Sequence, residues 1–135
     1  MTMKKVYMFL AEGFEDVEAL IPLDVLRRGG VDVNTVSITD GYVVTSSHGV
    51  NIEADLMFME IKPDDADLLM LPGGMPGASN LYAHEELCQA LIKQNEKGKM
   101  ISAICAAPAV VLGQLGLLNG KKATCYPGFE QLLPE

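Results

Sequence analysis

Met100-Ile101-Ser102-Ala103-Ile104-Cys105-Ala106-Ala107-Pro108-Ala109-Val110-Val111-Leu112 is the stretch whose reading decides the fold. An apolar, strand-like run ends at Ile104, and a helical run starts directly beyond one cysteine. A strand feeding straight into a helix is the unit from which parallel sheets with crossover helices are built. The corner also carries chemistry. The first N–H groups of a helix lack intrahelical partners, so they and the helix dipole favour a thiolate at Cys105. Ala103, Ala106 and Ala107 are small enough for a sharp turn, and Pro108 is tolerated in a first helical turn. Together they form a nucleophile elbow with cysteine as the nucleophile. The same position also suits a small buried side chain, because free cysteine is among the most buried residue types.

Outward from this corner, short apolar runs alternate with longer amphipathic ones. Strands are expected at 5–10, 31–38, 67–71, 100–104 and 122–125, and helices at 15–28, 84–97, 107–115 and 128–133. Asp67-Leu68-Leu69-Met70-Leu71 is almost wholly apolar, as in a strand covered on both faces. Residues 40–54 are rich in turn formers and read as a β-hairpin insertion. The fold class is therefore α/β, a mostly parallel central sheet between helical layers, within one domain spanning 1–135.

Composition narrows the function. The net charge is −8 and the 10 Lys and Arg form no basic stripe, which argues against a nucleic-acid partner. Cys88, Cys105 and Cys125 lie 17 and 20 residues apart with no CxxC pair, so no zinc site is expected. Their odd number, with no secretory signal, points to reduced thiols and a cytoplasmic location. No segment approaches membrane-spanning length.

Ligands of open parallel sheets bind beyond the carboxyl ends of the strands. Three segments fall there: Glu12–Glu18, Pro72-Gly73-Gly74 and Cys105. Phe14, Glu18, Ile21 and Val25 share one helical face, which predicts a half-buried Glu18 that favours its neutral acid form and acts as general acid or base. Glu15 and Asp16 suit the start of the helix, and Pro22 predicts a kink or an irregular first turn. Gly73 and Gly74 let backbone approach a ligand, and with the N–H of Ala106 they could form an oxyanion hole. His48 is a candidate for lining the site; His84 opens a helix.

Three ordered motifs carry a family resemblance: Ala11-Glu12-Gly13-Phe14-Glu15-Asp16-Val17-Glu18-Ala19-Leu20-Ile21-Pro22, Leu71-Pro72-Gly73-Gly74 and Ala103-Ile104-Cys105-Ala106-Ala107-Pro108. Together they resemble the ThiJ/PfpI superfamily, and within it the parkinsonism-associated deglycase branch. The likeness extends through Ser47-His48-Gly49 and Thr124-Cys125-Tyr126-Pro127. It implies a flavodoxin-like three-layer sandwich and a homodimer. It further implies a reactive, oxidation-prone Cys105, a protonated Glu18 bonded to it, and an oxyanion pocket from the N–H groups of Gly74 and Ala106. Peptidase-like members carry histidine directly after the cysteine; Ala106 stands here, so peptidase activity is not expected. Tyr126 replaces a histidine of some relatives, and their usual closing strand and helix do not follow, so a C-terminal truncation is expected. The implied activity is of glyoxalase III or deglycase type on small 2-oxoaldehydes such as methylglyoxal, without metal or organic cofactor. The alternative is a redox-sensing or stress-response chaperone protein that uses the same cysteine, and Glu15 and Tyr126 join His48 as site-lining candidates.

Overall fold

The computed structural model describes residues 4–135. Along the chain run β1 (Lys5–Leu10), α1 (Asp16–Arg28), β2 (Asp32–Ser37), the short strands β3 (Val43–Thr45), β4 (Asn51–Glu53) and β5 (Leu56–Met57), and β6 (Leu68–Leu71). Then follow α2 (Gly77–Ala83), α3 (Glu85–Glu96), β7 (Met100–Ala103) and a π-helical segment, Pro108–Gly113. Five strands form one parallel sheet in the order β5-β2-β1-β6-β7, while β3 and β4 pair antiparallel as the expected hairpin.

Alternation along β1 builds both halves of the core. Tyr7 and Phe9 point to one side, with Leu69 and Leu71, under Leu81 of α2, Leu87 and Leu91 of α3, and Val110 and Val111. Val6, Met8 and Leu10 point to the other, against Ala19 of α1, Val33 and Val44. Each fully buried Leu or Phe contributes about 1.5–3 kcal/mol relative to an exposed one. Helices on both faces of a parallel sheet give the expected three-layer α/β architecture. No helix among the described residues is long and apolar enough to cross a membrane.

Several local expectations need correction. Residues 122–125 form no strand; directly beyond them the Tyr126 N–H donates to the Cys105 carbonyl. The expected helix over 107–115 is only the π-helical segment 108–113, and that over 128–133 is a single 3-10 turn, Glu130–Leu132. The helix over 84–97 is preceded by the unforeseen α2, and His84 divides the two: its Nδ1 accepts the Leu87 N–H at 3.1 Å and caps α3. Strand β5 was also not expected. Helix α1 continues through Pro22, with Glu15 as its N-cap. Its sheet side is Ala19, Leu23 and Leu26, so Ile21 and Val25 remain 57% and 60% exposed and do not share a buried face with Glu18.

Candidate active site

Strands β1, β6 and β7 are neighbours, and the loops leaving their carboxyl ends meet at Gly73. Its N–H donates to Glu18 Oε1 at 3.1 Å, and its carbonyl accepts the Glu15 N–H at 3.0 Å. A Cβ at this position would stand 2.6 Å from Glu18 Oε1, 2.6 Å from the Ile104 carbonyl oxygen and 2.7 Å from Cys105 Cβ. Any side chain here would force Glu18, the Ile104 carbonyl or Cys105 to move. Glu18 is thus half-buried because it docks on Gly73, which replaces the apolar-stripe explanation.

Cys105 has φ 64°, the one positive φ at a non-glycine among the described residues. An L-residue held there costs about 1–2 kcal/mol, and here the strain turns the chain from β7 into the helical run. The corner is tied by the Ala107 N–H to the Ile104 carbonyl at 3.1 Å and by the Tyr126 N–H to the Cys105 carbonyl at 2.8 Å. Around the sulfur stand the Glu18 carboxyl and the N–H groups of Gly74 and Ala106. Burial, followed by the charge and hydrogen bond of Glu18, raises the thiol pKa above its ordinary value; the two N–H donors oppose the rise without reversing it. Burial and the Glu18 carboxyl thus work against the thiolate that the helix-end donors favour. Helix-end donors are present, but desolvation and a neighbouring carboxylate outweigh them.

The sulfur opens into a pocket of about 240 Å³ lined by Glu15, Ser47, Gly74, Met75, Cys105, Ala106, Tyr126 and Phe129. Of the expected lining residues, Glu15 and Tyr126 belong to this wall. His48 stands outside it, next to Ser47, with its Nδ1 2.8 Å from Asp16 Oδ1. Asp16 Oδ2 also accepts the Ser46 hydroxyl at 2.7 Å. This carboxyl is held below its ordinary pKa by Ser46 and then His48, while hydrogen bonding to Asp16 raises the imidazole. Glu15, Asp16 and His48 offer ligand atoms within 4.8 Å of one another and could together hold a cation. Glu15 Oε2 already accepts the Glu18 N–H, however, and both Asp16 oxygens are hydrogen-bonded, so the trio has a structural role as it stands.

Sequence reasoning does not single out Ser47, Met75 or Phe129 as pocket walls. Met75 directly follows the glycine pair, and Phe129 lies three residues beyond Tyr126, with their rings tilted at 59° and centroids 6.4 Å apart. That aromatic spacing beside the segment that contacts the cysteine corner is a signal for Phe129; Ser47 and Met75 carry none of that kind.

Comparison with known proteins bears on all of this geometry. The family model described as the DJ-1/PfpI family matches residues 4–135. Protein DJ-1 homolog B of Arabidopsis thaliana is 45% identical over 130 residues, covering 96% of this chain and 30% of that protein. A deglycase of Pyrococcus abyssi is 34% identical over 126 residues, covering 93% of this chain and 74% of that protein. The solved structure of oxidized Toxoplasma gondii DJ-1 superposes with a TM-score of 0.93 at 40% identity, covering 97% of this chain and 71% of that one. This chain spans only 30% and 33% of the length of the two Arabidopsis relatives.

Proposed function

The chain belongs to the DJ-1/PfpI family, and from that premise we propose a cysteine-dependent enzyme of glyoxalase III or deglycase type acting on small 2-oxoaldehydes such as methylglyoxal. One observation carries the reading: a strained cysteine opens into a pocket beside the Gly74 and Ala106 backbone, with the half-buried Glu18 carboxyl docked on the adjoining Gly73 N–H. Cys105 Sγ adds to the aldehyde carbon as its proton passes to Glu18, and Glu18 then returns that proton to the new C–O⁻ held by the Gly74 and Ala106 N–H groups, giving a hemithioacetal and a free Glu18 carboxylate. Glu18 next takes the proton from that carbon and delivers it to the adjacent carbon while the hydroxyl proton passes to the neighbouring oxygen, converting the adduct to a thioester of the 2-hydroxy acid. Water cleaves the thioester, releasing the acid and restoring the thiol. The raised thiol pKa fits this scheme, because a resting thiol needs the neighbouring base that Glu18 supplies.

Methylglyoxal turnover by wild type, Cys105→Ser and Glu18→Gln, without glutathione or metal, tests the proposal. Lactate formation lost in both variants supports it. No turnover by folded wild type sinks it and favours the second reading, a redox-responsive protein, since the two N–H donors facing the sulfur would hold an oxidised sulfur oxygen equally well. A homodimer is part of the proposal as well. Val17, Ile21 and Val25 make an exposed apolar stripe on α1, 55%, 57% and 60% accessible, which suits a second copy. Ile21→Glu would give a smaller species by light scattering; an unchanged mass removes that face from the interface.

A further inference from the structure

We infer that the Cys105 pocket selects uncharged carbonyl compounds with an aromatic or branched apolar substituent and rejects anionic ones, with Phe129 and Tyr126 as the specificity-determining residues. The inference rests on the reading of Cys105 as the attacking group. The walls carry it. Beyond the reacting corner, the pocket is bounded by Met75, Ala106, Tyr126 and Phe129, and among the described residues no Lys, Arg or His lines it. Its charged member is Glu15, whose carboxyl is anchored by the Glu18 N–H. A carboxylate or phosphate on the substrate would meet this group and Glu18 with no cation to offset them.

Size and surface agree. About 240 Å³ exceeds what a three-carbon aldehyde fills, and Tyr126 and Phe129 are among the walls of that space. Met75 and Tyr126 leave 43% and 56% of their surface open, apolar area that a ring or branched chain would cover on binding. Phe129 is half-buried and backed by the core, so it is the fixed face of the pair. The tilted Tyr126–Phe129 arrangement offers a ring a face and an edge.

The test uses two measurements on the whole chain. First, Cys105 is alkylated with iodoacetate, iodoacetamide and N-phenyliodoacetamide, each rate read by mass spectrometry of the Cys105 peptide and divided by that for N-acetylcysteine methyl ester. The expected order is aryl amide, then amide, then acetate, with a gap of at least about tenfold at each step. Phe129→Ala shrinks the aryl advantage, and the milder Phe129→Leu does so if the alanine variant fails to fold. Relative rates equal for the three reagents overturn the inference. Second, kcat/KM is compared for phenylglyoxal, methylglyoxal and glyoxylate. An aryl preference of about tenfold or more, reduced in Phe129→Leu, supports it; glyoxylate turned over as fast as phenylglyoxal overturns it. If no aldehyde is consumed while the alkylation order holds, the glyoxalase reading fails and the ligand class stands.

Discussion

Gly73→Ala is the sharpest probe of the site because it adds one methyl group where three atoms already sit. The new carbon would lie 2.6 Å from Glu18 Oε1, 2.6 Å from the Ile104 carbonyl oxygen and 2.7 Å from Cys105 Cβ. Relief to ordinary contact needs shifts of roughly 0.7 Å or more. Glu18 can rotate away, but the Ile104 carbonyl belongs to the turn leaving β7, whose Ala103 is in register with Leu71 of β6. Overpacking of this kind costs about 1–3 kcal/mol. Gly41 supplies the control: its φ is not positive and a Cβ there meets nothing within 4 Å. Gly41→Ala is therefore expected to gain about 0.4–1 kcal/mol by restricting the unfolded chain. By thermal melting the two variants should separate by roughly 5 °C or more. Displacing Glu18 and Cys105 by such amounts should also lower aldehyde turnover by about a hundredfold. Gly73→Ala melting together with Gly41→Ala would refute the close approach of the three loops, and with it the reason for a glycine there.

Three further outcomes are expected. In Asp16→Asn the imidazole of His48, followed by NMR, should titrate lower than in wild type, because the hydrogen bond to Asp16 is the leading cause of its raised pKa. The pair's stabilisation is complete below the ordinary His value of 6.5 and is lost as pH rises through the raised one; at the acid end it is present above the ordinary Asp value of 3.8 and disappears as pH falls through the lowered one. An unchanged His48 titration in the variant would contradict this pairing. Asp55 Oδ2 accepts from the Thr35 N–H, the Thr35 hydroxyl and Arg27 Nη2, so Asp55→Ala should cost about 1.5–3 kcal/mol in urea unfolding, and a loss below 0.5 would show the clasp to be ornamental. Cys105→Gly should be more stable than Cys105→Ala by about 1 kcal/mol, since only the alanine retains the strain of φ 64°; the reverse order would remove the strained corner from the argument.

The corner at Cys105 and its two partner loops could be read from residue type alone, because their geometry is imposed by local sterics. Small residues flank the turn, and glycine stands where no Cβ fits. What escaped the sequence depends on which surfaces meet. The spacing of Ile21 and Val25 shows that they share a face with Glu18 but not whether that face meets the sheet or solvent. Segment 122–125 has strand-like residues, yet pairs with no strand, and the residue after it bonds the Cys105 corner. Helix α2 begins Gly77-Ala78-Ser79-Asn80, where Gly, Ser and Asn are weak helix formers and suit a turn as well as a helix. Gly77 is there because its Cβ would lie 2.8 Å from the backbone N and Cα of Phe14, a contact no local rule reveals.

The bond from the Tyr126 N–H to the Cys105 carbonyl divides the pocket into parts of different origin. Nucleophile, carboxyl and N–H donors are set by three strand ends of the central sheet. The aromatic wall belongs to a strap outside the sheet, pinned at the corner and again where Leu132 packs so closely on Gly113 that a Cβ there would lie 2.5 Å from the Leu132 carbonyl oxygen. Between those two pins, side chains can be exchanged without touching a strand. Divergence in substrate range can then proceed by rewriting a handful of strap positions, while the reacting groups stay where the sheet holds them.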